Sequence, residues 1–244
     1  MPTRNHIAFK KVVPPISPLQ GEIKRGWGSS EERLDSPLLK LLQASSGIFI
    51  TGTDTGVGKT WVAAALARLL QSRGVNVGVM KPIETGCSIR RGELIPQDAC
   101  YLKKAARVND PLDFINPYRF RDPIAPWPAS MRAEEKINVR KILAAYKRLQ
   151  REHSFLIIEG VGGLRVPLTA RIDVIDLMQA LALPALLVAR SGLGTLNHIR
   201  LSLKEGQDHG IRFLGVILNE TQSKKTLADR TNPMVLSRKT NIPV

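Results

Sequence analysis

The sequence predicts an α/β fold, a mostly parallel sheet with helices on both faces, and three observations predict it. From residue 47 onward, strand-length apolar runs alternate with helical stretches. The runs are apolar almost throughout, as strands covered on both faces must be. The first of them breaks into a glycine-rich loop that leads directly into a helix. Strands are expected at 47–52, "VNVGVMK" 75–81, "SFLIIEG" 154–160, "PALLVAR" 184–190 and "IRFLGVILN" 211–219, with helices at 59–73, 97–107, 134–151, 172–182 and 195–208. Strict alternation implies right-handed crossovers between parallel strands.

The opening stretch "GIFITGTDTGVGKT", 47–60, is the most informative. Glycines at 52, 56 and 58 let the backbone turn tightly, so that successive N–H groups can face one anion. The next residues, "KTWVAAALARLLQSRG", place Val62, Leu66, Leu69 and Leu70 at helical spacing, and Gly74 suits a helix C-terminus. A helix N-terminus thus faces the same anion. This is a P-loop reading in which Lys59 would reach the β/γ-phosphates and the Thr60 hydroxyl would take one position on Mg²⁺. It is a variant, since five residues separate Gly52 from Gly58 and Thr53 stands where the usual first glycine falls.

In parallel sheets ligands bind beyond the carboxyl ends of the strands. The residues there are polar and specific: Lys81-Pro82-Ile83-Glu84-Thr85-Gly86 after the second strand, Glu159-Gly160-Val161-Gly162-Gly163 after the third, Arg190 to Thr195 after the fourth and Asn219 after the fifth. Glu159 ends a buried apolar strand, where a carboxylate needs a partner and a metal is one. Asp98 is either a second metal ligand or an ordinary helix cap. Lys81 is either a strand-end lysine reaching solvent or a cation aimed at a transferring phosphoryl group.

Bulk properties narrow the classes. A chain of 244 residues suits one domain with a tail. Cys87 and Cys100 make no disulfide framework and fit a reducing cytoplasm. The longest apolar stretch, 177–189, holds Gln179 and Pro184 and falls short of the roughly 20 residues that span a bilayer, so no membrane partner is expected. The net charge of +15 raises nucleic acid as a partner, but it is dispersed: residues 1–46 and 220–244 each carry +3, leaving +9 on the middle. The densest basic stretch, 132–153, reads as the solvated side of a helix buried through Ile137, Leu143, Ala144 and Leu149, without the aromatic interleaving that stacks bases. No nucleic-acid partner is expected. Residues 1–46, rich in Pro, Gly and Ser, are expected to be a disordered or non-core extension, with 47–244 as the folded domain.

"GTDTGVGKT", "KPIETG", "QDA", "NPYRF", "EGVGGLRVPL", "GLGTLNH" and "TNP" stand in the order and approximate spacing of the dethiobiotin synthetase family, and over about 47–244 the chain resembles it. The resemblance implies a cytoplasmic, homodimeric ATP-dependent ligase of biotin biosynthesis. One amine of 7,8-diaminononanoate captures CO₂ as a carbamate, the carbamate oxygen attacks the ATP γ-phosphate, and the second amine closes the ureido ring with loss of phosphate. It further implies that Lys59 and Lys81 stabilise the reacting oxygens. Thr60, Asp98 and Glu159 would hold Mg²⁺, and Gly56, Val57, Gly58, Lys59, Thr60, Trp61, Asp98, Glu159, Gly160, Val161, Gly162 and Asn219 would contact ATP. Thr55 and Thr85 would contact the diamine, while Gly194, Thr195 and Asn197 would bind its carboxylate across the dimer interface. No residue is required as a covalent nucleophile, which makes Cys87 a spectator. The chain departs from the family pattern at Trp127 and Pro128, and it is expected to be short at its C-terminus, since relatives continue beyond "TNIPV". The competing classes are a P-loop switch of the partitioning or positioning type, for which 220–244 shows no amphipathic helix, a cobyrinate-type amide synthase, for which a glutaminase domain finds no room, and an inactive ATP-binding relative.

Overall fold

The computed structural model describes residues 45–220 and 224–244. Apart from Ser45 and Ser46, the expected N-terminal extension lies outside the described residues. Five strands, β1 (Gly47–Gly52), β2 (Val77–Met80), β7 (Phe155–Glu159), β8 (Ala185–Arg190) and β9 (Phe213–Asn219), form one sheet in the order β2-β7-β1-β8-β9. Every pairing in it is parallel, with Ile50 opposite Glu159 and Gly52 opposite Val188. The strands alternate across two cores. Ile48, Ile50, Val77, Val79 and Ile157 meet the apolar faces of α1 (Lys59–Gln71) and α2 (Gln97–Ala106). Phe49, Met80, Leu156, Ile158 and Leu187 meet α5 (Val139–Glu152), α6 (Val174–Leu181) and α7 (Thr195–Asp208) on the opposite face. The period of two along each strand is why these runs are apolar at nearly every position.

Between β2 and α5 the chain builds a layer that the alternation of long runs does not reveal. β3 (Ile83–Thr85) pairs in parallel with β6 (Tyr118–Phe120), β4 (Ser88–Arg90) forms an antiparallel hairpin with β5 (Glu93–Ile95), and α3 (Leu112–Ile115) and α4 (Pro126–Arg132) complete it. Strands of three residues are too short to show a period.

Three helical expectations are corrected. The stretch 134–151 was expected to be helical throughout. Instead Glu134 takes a positive φ of 54°, and α5 begins only after Asn138, whose side chain accepts from Arg140 N at 2.9 Å. The buried face of α5 is Ile142, Ala145, Tyr146 and Leu149; of the expected set Ile137 and Leu149 are buried, while Leu143 is half-buried, Ala144 is exposed and the basic residues are solvated. On α1 the buried face is Ala63, Ala64, Leu66, Ala67 and Leu70, while Leu69 is exposed. Residues 220–244, where no amphipathic helix was expected and no helix was named, contain α8 (Leu227–Lys239), which buries only Asn232 and Leu236. Its start is fixed by a reciprocal cap between Thr226 and Asp229, and Leu236 is buried in the core. Pro233 and the small number of buried residues hide its period in the sequence. Beyond α8 the chain returns to the sheet edge, where Val216 N donates to Pro243 O at 2.8 Å.

The end of β2 is tied to the small layer through a buried asparagine. Lys81 N donates to Ile115 O at 2.8 Å, and Asn116 Nδ2 donates to Lys81 O at 2.7 Å and Tyr118 O at 3.1 Å. Residues 115 and 116 therefore bracket both backbone groups of Lys81. Asn116→Ala leaves those two buried carbonyls without this donor and is expected to cost about 1–3 kcal/mol of stability. Urea unfolding checks it: a loss below about 0.5 kcal/mol, the range of an ordinary surface substitution, would show that Asn116 does not hold this junction.

Candidate active site

The carboxyl ends of β1, β2 and β7 converge on one carboxylate. Glu159 ends β7 and is 1% exposed. Its Oε1 accepts from Lys81 Nζ at 2.5 Å and from the Thr60 hydroxyl at 2.7 Å. Lys81, buried beyond the end of β2, also lies 3.2 Å from Asp98 Oδ2 and 3.3 Å from Gly160 O. Burial opposes the charge on Lys81, but Glu159 and Asp98 outweigh it and hold the ammonium above the usual lysine value. The lysine is thus not a solvent-seeking strand end.

The phosphate loop closes over the same point. Gly56 and Gly58 take positive φ values of 73° and 94°, and α1 starts at Lys59 without any side chain capping its first amides. Uncapped amides at a helix start, next to a glycine-rich loop, suit the binding of an anion. Lys59 is buried and bends back to donate to Asp54 O at 2.8 Å. Burial, with Lys81 close by, pulls its ammonium down to about 8. Asn219, at the end of β9, donates from Nδ2 to Val57 O at 2.9 Å, and a side chain at position 58 would collide with that amide. Gly160 to Gly163 lie against the loop, so closely that a Cβ at Gly163 would sit 3.2 Å from Gly52 O and one at Gly162 3.6 Å from the Thr55 hydroxyl.

Asp98 is the second residue of α2, and its carboxylate does not cap the helix. The cap comes from β3: Glu84 Oε1 accepts from Asp98 N at 2.9 Å and Oε2 from Ala99 N at 3.0 Å. Burial pushes the Glu84 carboxyl up to about 6 in spite of these bonds. Residue-type reasoning at the sequence level did not single out Glu84, because its partners are backbone amides across an intervening hairpin. The signal available was a carboxylate inside an otherwise buried strand, the same signal that exposed Glu159.

Among the described residues, no group of three or more His, Cys, Asp or Glu side chains converges as a metal site. Two carboxylates and one hydroxyl do converge, Asp98, Glu159 and Thr60, and Glu159 Oε2 is buried without a hydrogen-bond partner. An all-oxygen set with an unsatisfied carboxylate oxygen suits a hard cation such as Mg²⁺. Of the remaining predicted residues, Trp61 is exposed on the first turn of α1, Val161 is half-buried beside the loop, and Thr85 ends β3. Gly194, Thr195 and Asn197 form the head of α7, where Thr195 Oγ1 is buried and unpartnered and Leu193 is almost fully exposed. Among the described residues no hydrogen bond joins that head to the lysine–carboxylate cluster. Asn232 Nδ2 braces the preceding turn through Gly192 O at 2.8 Å, a contact sequence reasoning did not anticipate.

The sequence pattern of the AAA domain family matches residues 46–244. An ATP-dependent dethiobiotin synthetase from Thermodesulfovibrio yellowstonii is 41% identical over 206 residues, covering 81% of this chain and 86% of the relative. One from Endomicrobium trichonymphae is 38% identical, covering 81% and 90%. One from Anaeromyxobacter sp. is 40% identical, covering 80% and 86%. With identity of this degree over about four fifths of its length, the chain belongs to the family of ATP-dependent dethiobiotin synthetases.

Proposed function

We propose that this chain catalyses the ATP-dependent carboxylation and ring closure of 7,8-diaminononanoate with CO₂, giving dethiobiotin, ADP and phosphate. The observation that carries the reading is the convergence of Lys81, Thr60 and Asp98 around the buried Glu159 beneath a phosphate loop. Such a centre is built to gather anionic oxygens, and the reaction consists of moving a phosphoryl group between oxygens.

The loop amides and the head of α1 bind the triphosphate, and Asn219 stands where the adenine edge can be read. Lys59 leaves Asp54 O to meet the β/γ-phosphates. Its neighbour Lys81 brings a second cation to the carbamate and transferring phosphoryl oxygens. Both side chains are pure donors, so they stabilise oxyanions without competing as metal ligands. Thr60, Asp98 and Glu159 would hold Mg²⁺, which supplies neutralisation of phosphate charge when bound. The substrate's own amines perform both nucleophilic steps, so the protein needs to orient them and exclude water rather than form a covalent link.

The head of α7 is proposed to take the carboxylate of the diamine, with Thr55 and Thr85 along its chain. Free amides at a helix N-terminus and the unpartnered Thr195 hydroxyl support this. The exposed Leu193 beside it, with Leu201 on the same helix, supports burial against a second copy in a homodimer. Among the described residues no helix is long and apolar enough to cross a membrane, and the reading calls for neither a membrane nor nucleic acid; it places the enzyme in the cytoplasm.

Phosphate release should require diamine, bicarbonate and Mg²⁺ together, because the carbamate is the phosphoryl acceptor. Full-rate release with DNA or lipid and no diamine would contradict the reading. Lys59→Ala and Lys81→Ala are each expected to lower kcat about 10²- to 10³-fold, the scale of losing one preorganised donor to a developing oxyanion. Near-normal turnover of Lys81→Ala would remove that lysine from the mechanism. Burial, then the nearby Glu84, pushes the Cys87 thiol up to about 12 from an ordinary 9.0. The folded state prefers the protonated thiol, so this group's contribution to stability is present below pH 9 and lost as pH rises from 9 to about 12. Iodoacetamide at pH 8 is therefore expected to spare Cys87, and Cys87→Ser should retain turnover. Rapid alkylation of Cys87 with loss of activity would show that it is not a spectator.

A further inference from the structure

Lys81 and Asp98 belong to different elements, yet their charged atoms stand 3.2 Å apart. Between them the chain runs through β3 and then out through the exposed β4–β5 hairpin before α2 begins. Sixteen residues of which several are solvent-exposed do not by themselves fix a carboxylate to within a few tenths of an ångström. α2 also has no cap of its own: Pro96 precedes it and offers no side-chain acceptor to its first amides.

Glu84 supplies both missing constraints. Glu84 is 5% exposed, and each oxygen of its carboxylate takes one of the first amides of α2, those of Asp98 and Ala99. An acceptor on the helix itself would satisfy these groups equally well, but it would not tie the helix to the strand. Glu84 lies three residues after Lys81, on a segment pinned by Asn116 and by pairing with β6. One rigid stretch of chain therefore carries the lysine and also grips the amide of the residue whose carboxylate faces that lysine. An anion at this end is further favoured by the helix dipole.

We propose that Glu84 is a positioning residue, holding Asp98 in its place beside Lys81 and Glu159 by capping α2 from β3. Its consequence for the metal rests on the reading of Asp98 as a ligand given above. Glu84 touches neither the metal nor the substrate, and acts through the backbone of residues 98 and 99. Removing it loosens the first turn of α2 and weakens the oxygen set, while the phosphate loop and the head of α7 stay as they are.

The test uses the full chain with Glu84→Gln, Asp98→Asn and the double variant. Glutamine keeps the size but presents one N–H₂ to a backbone N–H, so only one of the two bonds can survive. Amide hydrogen exchange at residues 98 and 99 is expected to speed up at least about tenfold in Glu84→Gln, with exchange at Leu102 and Ala106 unchanged. Binding of Mn²⁺ with a non-hydrolysable ATP analogue should weaken about tenfold or more, the usual scale for losing a support behind a ligand, with KM for the diamine altered less than about twofold. The double variant should bind Mn²⁺ no more weakly than Asp98→Asn alone, because Glu84 acts only through Asp98. Exchange and Mn²⁺ affinity unchanged in Glu84→Gln, or losses that add in full in the double variant, would overturn the proposal. Unchanged Mn²⁺ affinity in Asp98→Asn would instead overturn the ligand reading of Asp98, while the exchange rates still decide whether Glu84 caps the helix. If Glu84→Gln does not fold, Glu84→Asp, with the carboxylate drawn back by one methylene, is judged by the same exchange and Mn²⁺ outcomes.

Discussion

A carboxylate buried at the end of a parallel strand has to be neutralised, and much of this molecule is arranged around doing so for Glu159. An isolated charge at that depth costs several kcal/mol even after relaxation, and burial pushes the Glu159 carboxyl above its usual value, so its charge depends on close partners that pull against that shift. Lys81 and Thr60 supply them, each from a neighbouring element. The sheet order makes this possible. β7 lies between β2 and β1, so the residue after β2 and the helix after β1 flank the end of β7 from both sides.

Neutralisation is incomplete by design of the site's geometry. Lys81 is shared between two carboxylates, Lys59 leans on a backbone carbonyl, and one oxygen of Glu159 has no partner. The same burial that strengthens the Lys81–Glu159 pair, with Lys81 close by, pulls Lys59 down to about 8. A triphosphate and a hard cation would complete these contacts at once. The centre is therefore a set of mutually substituting partners, and the surrounding layer of β3, β6 and Asn116 keeps them from drifting apart.

How much of this was legible depended on whether a feature was local. All five strands of the sheet and the phosphate loop were readable, because a buried parallel strand must be apolar on both faces and a nest must be rich in glycine. Lys59, Thr60, Lys81, Asp98 and Glu159 were readable because they stand at strand ends or helix starts, and the structure brings all five together. Leu69 of α1 and Leu143 and Ala144 of α5 were misjudged because alanines, which pack as closely as leucines, carry a weak hydrophobic signal. α8 was missed since Pro233 and its exposed residues erase the period, although Thr226 and Asp229 fix its start. Glu84 and Asn116 lay inside quoted motifs, yet their roles were not legible for a deeper reason. Each serves backbone groups distant in sequence, and no spacing rule marks a side chain whose partners are amides and carbonyls of another element.

The central claim is that Lys81 and Glu159 exist as a mutually dependent buried pair, and a double-mutant cycle on unfolding free energy tests it most directly. Glu159→Gln alone leaves a buried cation short of its nearest partner and is expected to cost about 3–5 kcal/mol. Adding Lys81→Met removes the stranded charge and should recover a large part of that loss, so that the two substitutions are far from additive. Losses that simply sum, with the double variant the least stable of the three, would show that the two residues do not depend on one another and that the site is not organised around their pairing.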